Sequence, residues 1–426
     1  MNLKIQTIVD KEIMKKTKLL MISDHALTHS GVAIQSKYLI EGLLDLNKYE
    51  IIQLGAAKYH EDMRPKKVNK DFTIIPSIGF GDKEIIRSLL ASEKPDAMII
   101  FTDARFFDHV FEMEDEIHEV CPIMWWHVWD NKPVPTFNSY AYNSVDAINC
   151  ISKLTYDLCK ELCPEKTSYI PHAIKRKDYF RLESKLIEKY KKAILGEKSD
   201  WFVGAWVNRN IRRKRPADVL KSWSIFLEKQ YKEFGHKKSL LIMHTDPKDP
   251  AGINLLEVAK MLNLEENVRF SSEILNDEAL NLLYNISDFT LNIAFSEGFG
   301  LSTLESLYTS TPIITSVTGG LQSQVINFKT EELHGIAIYP QMTTISGTQE
   351  IPYLNEDYVT VESVAKAILE FYRKPAKDRK LLGEKGQKYV LENFNIKKMI
   401  EDWDISIEKT CKTWNQKSNK VRLEEL

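Results

Sequence analysis

Twice along these 426 residues, short apolar runs alternate with longer segments of helical spacing. That alternation restricts the chain to parallel sheets built from strand, helix, strand units. The first series places strands at Leu19 to Ser23, Ile51 to Leu54, Phe72 to Ile75, Ala97 to Phe101, Ile123 to Trp126 and Ala147 to Ile151. The second begins at Trp201 and continues near Leu240 to Met243, Val268 to Phe270, Phe289 to Ile293, Ile313 to Thr315 and Ile336 to Tyr339. Between the first two strands, Val32, Leu39, Ile40, Leu43 and Leu44 share a helical face interrupted by Ser36. The expected fold class is therefore α/β: two doubly wound Rossmann-like domains, residues 1–170 and 200–374, with a linker at 171–199 and a helical tail at 375–426.

Composition agrees with a soluble globular protein, at 43% hydrophobic and 28% charged residues. With 58 basic against 60 acidic residues, no global field directs the chain to nucleic acid or an anionic membrane. The five cysteines (Cys121, Cys150, Cys159, Cys163, Cys411) are odd in number and lack a C-x2-C pair, so they read as reduced thiols in a cytoplasmic protein. Cys159 and Cys163, four apart, would make half a metal site with no second pair of ligands. Leu19 to Ile22 is too short for the core of a signal peptide, and no stretch approaches a membrane-spanning length. Residues 1–16, with Leu3, Ile5, Ile8, Val9 and Ile13 among lysines, read as an extra edge element.

Residues 297 to 305, Glu-Gly-Phe-Gly-Leu-Ser-Thr-Leu-Glu, set two carboxylates eight positions apart across a turn between a strand and a helix. Gly298 and Gly300 let the backbone approach a ligand, and the helix opening near Leu301 and Ser302 offers free N–H groups to a phosphate. Glu297 at the mouth and Glu305 one turn into the helix have no positive charge to give, so they suit the hydroxyls of a sugar or ribose. The cations come from Asn208-Arg209-Asn210-Ile211-Arg212-Arg213-Lys214-Arg215, at the carboxyl end of a strand, where open α/β sheets bind ligands. A solvated basic patch or a nucleic-acid contact is the alternative for that run.

Together these segments resemble the retaining glycosyltransferases of GT-B fold, the large family that includes sucrose synthase and bacterial mannosyltransferases. The resemblance rests on Arg209 and Lys214 five apart, the E-x7-E pair, Gly298-Phe299-Gly300-Leu301 between them, Thr318-Gly319-Gly320 after the next strand, and Tyr169 to Ile174 at the domain crossing. Ala173 stands where the family commonly has Gly, and Gln322 where it has Glu. The resemblance implies an acceptor-side first domain and a nucleotide-sugar-binding second domain, with the tail crossing back onto the first. It implies that Arg209 and Lys214 neutralise the departing diphosphate, that Glu297 and residues 298–300 orient the donor sugar, and that Glu305 takes the ribose. Gly31, in the loop after the first strand, would meet the donor phosphate or the acceptor, although a plain N-cap with Gly at the turn fits the sequence equally well; Thr318 and Gly319 would also line the site. His127, ending the strand Ile123 to Trp126, matches a histidine that touches the donor sugar in similar enzymes, although a buried core histidine also fits the sequence.

No metal site and no cofactor are expected beyond the nucleotide diphosphate sugar donor. Asp402-Trp403-Asp404 imitates a metal-binding triplet but lies in the helical tail; Gly79-Phe80-Gly81 and Gly298-Phe299-Gly300 begin like dinucleotide fingerprints and fail at the third glycine. The acceptor is open: a glycan, a lipid, a small molecule or, in a viral-type DNA-modifying enzyme, DNA. A sugar phosphorylase and a nucleotide-sugar-binding protein without turnover use the same cleft. Oligomeric state is not legible.

Overall fold

The computed structural model describes residues 15–58 and 61–418. The edge element read from residues 1–16 falls almost wholly outside them. The first sheet contains β1 (Thr17–Asp24), β2 (Tyr49–Ala56), β3 (Lys66–Asn69), β4 (Phe72–Pro76), β5 (Ala97–Thr102), β6 (Ile123–His127), β7 (Ala147–Cys150) and β8 (Thr167–Tyr169). Its order is β3-β4-β2-β1-β5-β6-β7-β8, parallel except for β3. The second contains β9 (Phe202–Val207), β10 (Ser239–His244), β11 (Val268–Ser271), β12 (Phe289–Asn292), β13 (Ile313–Ser316) and β14 (Ile336–Ile338), in the order β11-β10-β9-β12-β13-β14. A separate antiparallel hairpin, β15 (Met342–Ser346) and β16 (Leu354–Tyr358), follows.

Helices cover both faces of each sheet, so the central strands carry apolar residues continuously rather than alternately. Every residue of β5 and β6 is buried. The sequence pattern missed β3, β8 and the hairpin for the opposite reason. β3 is exposed along its length, and its Lys66 and Lys67 are side chains that keep an edge strand from pairing with another chain. Helix ends follow ordinary signals: Pro216 opens the helix Pro216–Phe234, and Gly235, at φ +75°, closes it.

The tail returns to the first domain. In the helix Ile396–Ser418, Trp403 is fully buried with its ring 5.2 Å from that of Trp126. Asp404 receives the Tyr49 hydroxyl at 2.5 Å and Lys48 at 2.8 Å. Both members of the imitation metal triplet that bracket Trp403 are thus surface ion-pair carboxylates, Asp402 with Lys398. One apolar cluster joins Trp126 and Ile40 in the first domain to Phe299 and Leu304 in the second through Tyr389, Phe394 and Trp403. The strand order reverses between β1 and β5 in one sheet and between β9 and β12 in the other, and open α/β sheets place their crevices at the carboxyl ends of such strands.

Candidate active site

The loop after β9 is shaped by its asparagine. Asn210 is fully buried, donates to the carbonyls of Ile253 at 2.7 Å and Asp246 at 3.3 Å, and lies so close to Gly252 that a Cβ there would meet its carbonyl oxygen at 2.2 Å. A short turn, Arg212–Lys214, follows, and Arg215 takes a left-handed φ of +55°. Its guanidinium lies over the rings of Phe295 (4.8 Å) and Tyr358 (5.6 Å) and bonds Asp218 at 2.8 Å, which fixes the reversal. Lys214 is thereby driven into the protein, 9% exposed, onto the carboxylate of Glu297, itself 6% exposed.

Glu297 belongs to the loop after β12, and the glycines around it are required by backbone packing. A Cβ on Gly319, at φ +48°, would stand 2.0 Å from the Glu297 carbonyl oxygen and 2.5 Å from that of Asp130. The Gly320 N–H donates to the Glu297 carbonyl at 2.7 Å, and the Glu297 N–H to the Asp130 carbonyl at 3.2 Å. Asp130 comes from the first domain, just beyond β6, so the cleft is closed at this point. Arg213 completes the cluster: it reaches Glu297 at 3.2 Å, Asp130 at 3.6 Å and the Ser296 carbonyl at 3.1 Å. Two cations and two carboxylates from three loops and both domains therefore meet at the switch point. Burial, reinforced by the Arg213 charge, pulls the Lys214 ammonium well below the usual lysine range, while Asp130 opposes the shift.

The helix Leu301–Tyr308 starts at Gly300, φ +92°, with no side chain capping its first N–H groups. Across from it, a Cβ on Gly31 would lie 3.2 Å from Leu301, so the two helix starts face each other over the cleft. Ser30 caps the Gly31 helix through the Ala33 N–H at 3.0 Å. Glu305 accepts the Tyr284 hydroxyl at 2.7 Å. Burial raises its carboxyl to about 7, against the pull of that hydrogen bond and with a further push from Asp277. The Tyr38 phenol on helix Gly31–Asp45 is raised too, first by burial and then by Asp277 and other carboxylates that include Glu305, which sets Glu305 near the interdomain seam.

The structure thus assembles Lys214, Glu297, Gly298, Gly300, Leu301 and Gly31 at the crevice, with Ser302 in the first turn of its helix. It does not bring Arg209 to Glu297. Arg209 is paired with Asp249 at 2.7 Å, its side chain 64% exposed, and Arg213 takes the place beside Lys214. His127 is corrected as well: it is fully buried, 3.0 Å from the Tyr142 hydroxyl and ring against ring with Trp125. Strand alternation explains this, because residues 123, 125 and 127 share the face that the helices Ser139–Asn143 and Lys153–Leu162 cover. Phe299 packs its ring on His172 and Phe394 in the shared core. Thr318, 1% exposed, donates to Asp357 at 2.7 Å, and Gly319 is a packing glycine; both build the loop's floor. Sequence reasoning passed over Asp130, which carried no signal beyond its strand-end position, and Arg213, which was one cation among four. Among the described residues, no group of three or more His, Cys, Asp or Glu side chains could hold a metal ion.

Residues 188–389 match the family model described as glycosyl transferases group 1. The match spans the second domain and the start of the helical tail. No curated protein sequence matches the chain. Among solved structures, sucrose-phosphate synthase from Thermosynechococcus elongatus is 16% identical, at TM-score 0.67 over 95% of this chain and 100% of that one. Anabaena HepE, solved with UDP and glucose, is 11% identical, at TM-score 0.64 over 92% and 100%. An E. coli trehalose-6-phosphate protein bound with UDP-2-fluoro glucose is 13% identical, at TM-score 0.67 over 92% and 99%. The whole chain therefore has the GT-B fold, two Rossmann-like domains with a cleft between them and C-terminal helices crossing back.

Proposed function

We propose that the protein transfers a sugar from a nucleotide diphosphate sugar to an acceptor hydroxyl, with retention of configuration and without a metal. The observation that carries this reading is the buried Lys214 and the half-buried Arg213 beside it, both held against Glu297 at the switch point next to an uncapped helix start. Group-transfer chemistry from a diphosphate places negative charge on the leaving group in the transition state, and cations fixed there in advance lower the barrier. An entering diphosphate replaces the Glu297 carboxylate on these cations, and Glu297 is released to accept the hydroxyls of the transferred sugar. Residues Leu301 and Ser302 give their N–H groups to the phosphates, and Glu305 takes the ribose. The acceptor hydroxyl attacks on the face that the leaving group quits, with the departing phosphate oxygen as its base, so no protein nucleophile is required. The likeness of the fold to proteins solved with UDP or a UDP-sugar supports a nucleotide sugar as donor. Five unpaired cysteines support a reducing cytoplasmic setting.

The test is a thermal-shift panel of UDP-, GDP-, ADP- and dTDP-sugars, followed by acceptor trials with the best donor. One base should raise the melting temperature, since a ligand at 100 times its dissociation constant adds about 2.7 kcal/mol. A protein stabilised by inorganic phosphate and free sugar, with no response to any nucleotide sugar, contradicts the reading in favour of a phosphorylase.

A further inference from the structure

His127, which the family resemblance would set on the donor sugar, is sealed in the core, and the first domain meets the second through another residue beyond the same strand end. We propose that Asp130 is a specificity-determining residue that binds hydroxyls of the transferred sugar. This rests on the reading of the site given above and assigns a role within it.

Three observations converge on Asp130. Its carboxylate faces the donor loop: a Cβ on Gly298 would lie 2.9 Å from Asp130 Oδ1. It joins the same cations as Glu297, with Oδ2 3.6 Å from Arg213 Nε, and its side chain is 27% exposed. Its backbone is held in place on both sides. The Asp130 carbonyl accepts the Glu297 N–H, and Asn131, 4% exposed, donates to Asp357 Oδ2 at 2.7 Å, the Asn355 carbonyl at 3.1 Å and Thr318 at 3.2 Å. The Lys132 carbonyl then accepts the Asn355 N–H at 2.7 Å. The β15–β16 hairpin thus straps this loop to the second domain and presents the Asp130 carboxylate on a rigid support, which a sugar-reading group needs.

Charge bookkeeping assigns the ligand class. Without a donor, Asp130 and Glu297 balance Arg213 and Lys214. Once a diphosphate takes the two cations, each carboxylate loses its partner in a confined space, and a carboxylate left so accepts hydrogen bonds from neutral donors. The hydroxyls of the sugar attached to that diphosphate are the donors within reach, with Glu297 approaching from the second domain and Asp130 from the first. Discrimination between sugars that differ in one hydroxyl then depends on Asp130, while affinity for the nucleoside diphosphate does not.

The experiment begins with the wild-type chain and the donor base that stabilises it, then compares two donors on that base that are epimers at one ring carbon. The ratio of kcat/KM for the two, by release of nucleoside diphosphate, is measured for wild type, Asp130→Asn and Asp130→Ala, together with binding of the free nucleoside diphosphate. We expect the ratio to fall about 10- to 100-fold in both variants, a part of the roughly 10⁴- to 10⁵-fold that a site built to hydrogen-bond a hydroxyl can reach, since Glu297 holds the sugar as well. Binding of the free diphosphate should stay within threefold or tighten, because a competitor for Arg213 is removed. An unchanged ratio, with both donors slowed alike or a lowered melting temperature alone, makes Asp130 a structural ion-pair member and overturns the inference. The near-isosteric Asn variant decides the matter if the Ala variant does not fold. A wild-type chain that binds no nucleotide sugar overturns the underlying reading instead, and with it this one.

Discussion

Replacing Glu305 by Gln should stabilise the protein and weaken its donor binding at the same time. Burial holds this carboxyl near 7 in the folded chain, against an ordinary value of 4.5. Below pH 4.5 the group is protonated whether the chain is folded or not, so it contributes no pH-dependent term. Between 4.5 and 7 the folded chain binds more protons than the unfolded one, and stability falls as pH rises. Above pH 7 the full cost of about 3 kcal/mol is in place, at about 1.4 kcal/mol per pKa unit. At pH 5 it is under about 1 kcal/mol by the same linkage. Glutamine keeps an oxygen for the Tyr284 hydroxyl and removes the titration. Glu305 is only partly enclosed, and water screens some of the cost. Urea unfolding should therefore favour Glu305→Gln over wild type by about 2 kcal/mol more at pH 8 than at pH 5. In turnover the same variant should raise the donor's KM more than it lowers kcat, as expected when a contact made equally in ground and transition states is lost. A stability difference that does not change between the two pH values refutes the burial assigned to this carboxyl. An unchanged KM refutes its contact with the donor.

Lys214→Ala and Arg213→Ala should each lower kcat by about 10²-fold or more, while the double variant loses less than the product, because two groups acting on one leaving group are not additive; Arg209→Ala, on the exposed Asp249 pair, should fall well short of either. Trp403→Ala, at a fully buried position between the tail and Trp126, should cost about 3–5 kcal/mol of stability, read as a lowered urea midpoint. Turnover should persist in excess EDTA, since fixed cations and a helix start supply the positive charge; activity lost to EDTA and restored by magnesium or manganese contradicts that.

The fold was legible because its central strands are buried on both faces and so stand out as apolar runs, as β5 and β6 do. The strands that escaped lie where burial is partial: the lysine-bearing edge β3 and the hairpin Met342–Tyr358, whose residues are largely half-buried or exposed. At the site, spacing along the chain singled out Lys214 and Glu297, which the structure places in contact, because a strand end and a glycine turn fix where such residues go. It could not choose among adjacent arginines. Arg213 reaches Glu297 rather than Arg209 because the left-handed turn at Arg215 rotates the end of the run inward. His127 was misplaced by a related limit: a strand end locates a residue at the crevice, but alternation decides which face its side chain takes, and here that face is core. Asp130 gives no signal in isolation, since its partners lie more than 80 positions away in the sequence.

The account rests on a diphosphate leaving group held by Arg213 and Lys214, and release of nucleoside diphosphate from the stabilising donor tests it most directly. The wild-type chain should release nucleoside diphosphate in step with glycosylation of an acceptor, with slow hydrolysis when acceptor is omitted. Lys214→Ala should still fold and should lose release by about 10²-fold or more. Release by Lys214→Ala within about threefold of wild type, far short of that electrostatic scale, would show that these cations serve the ion pair with Glu297 alone and that the chemistry lies elsewhere.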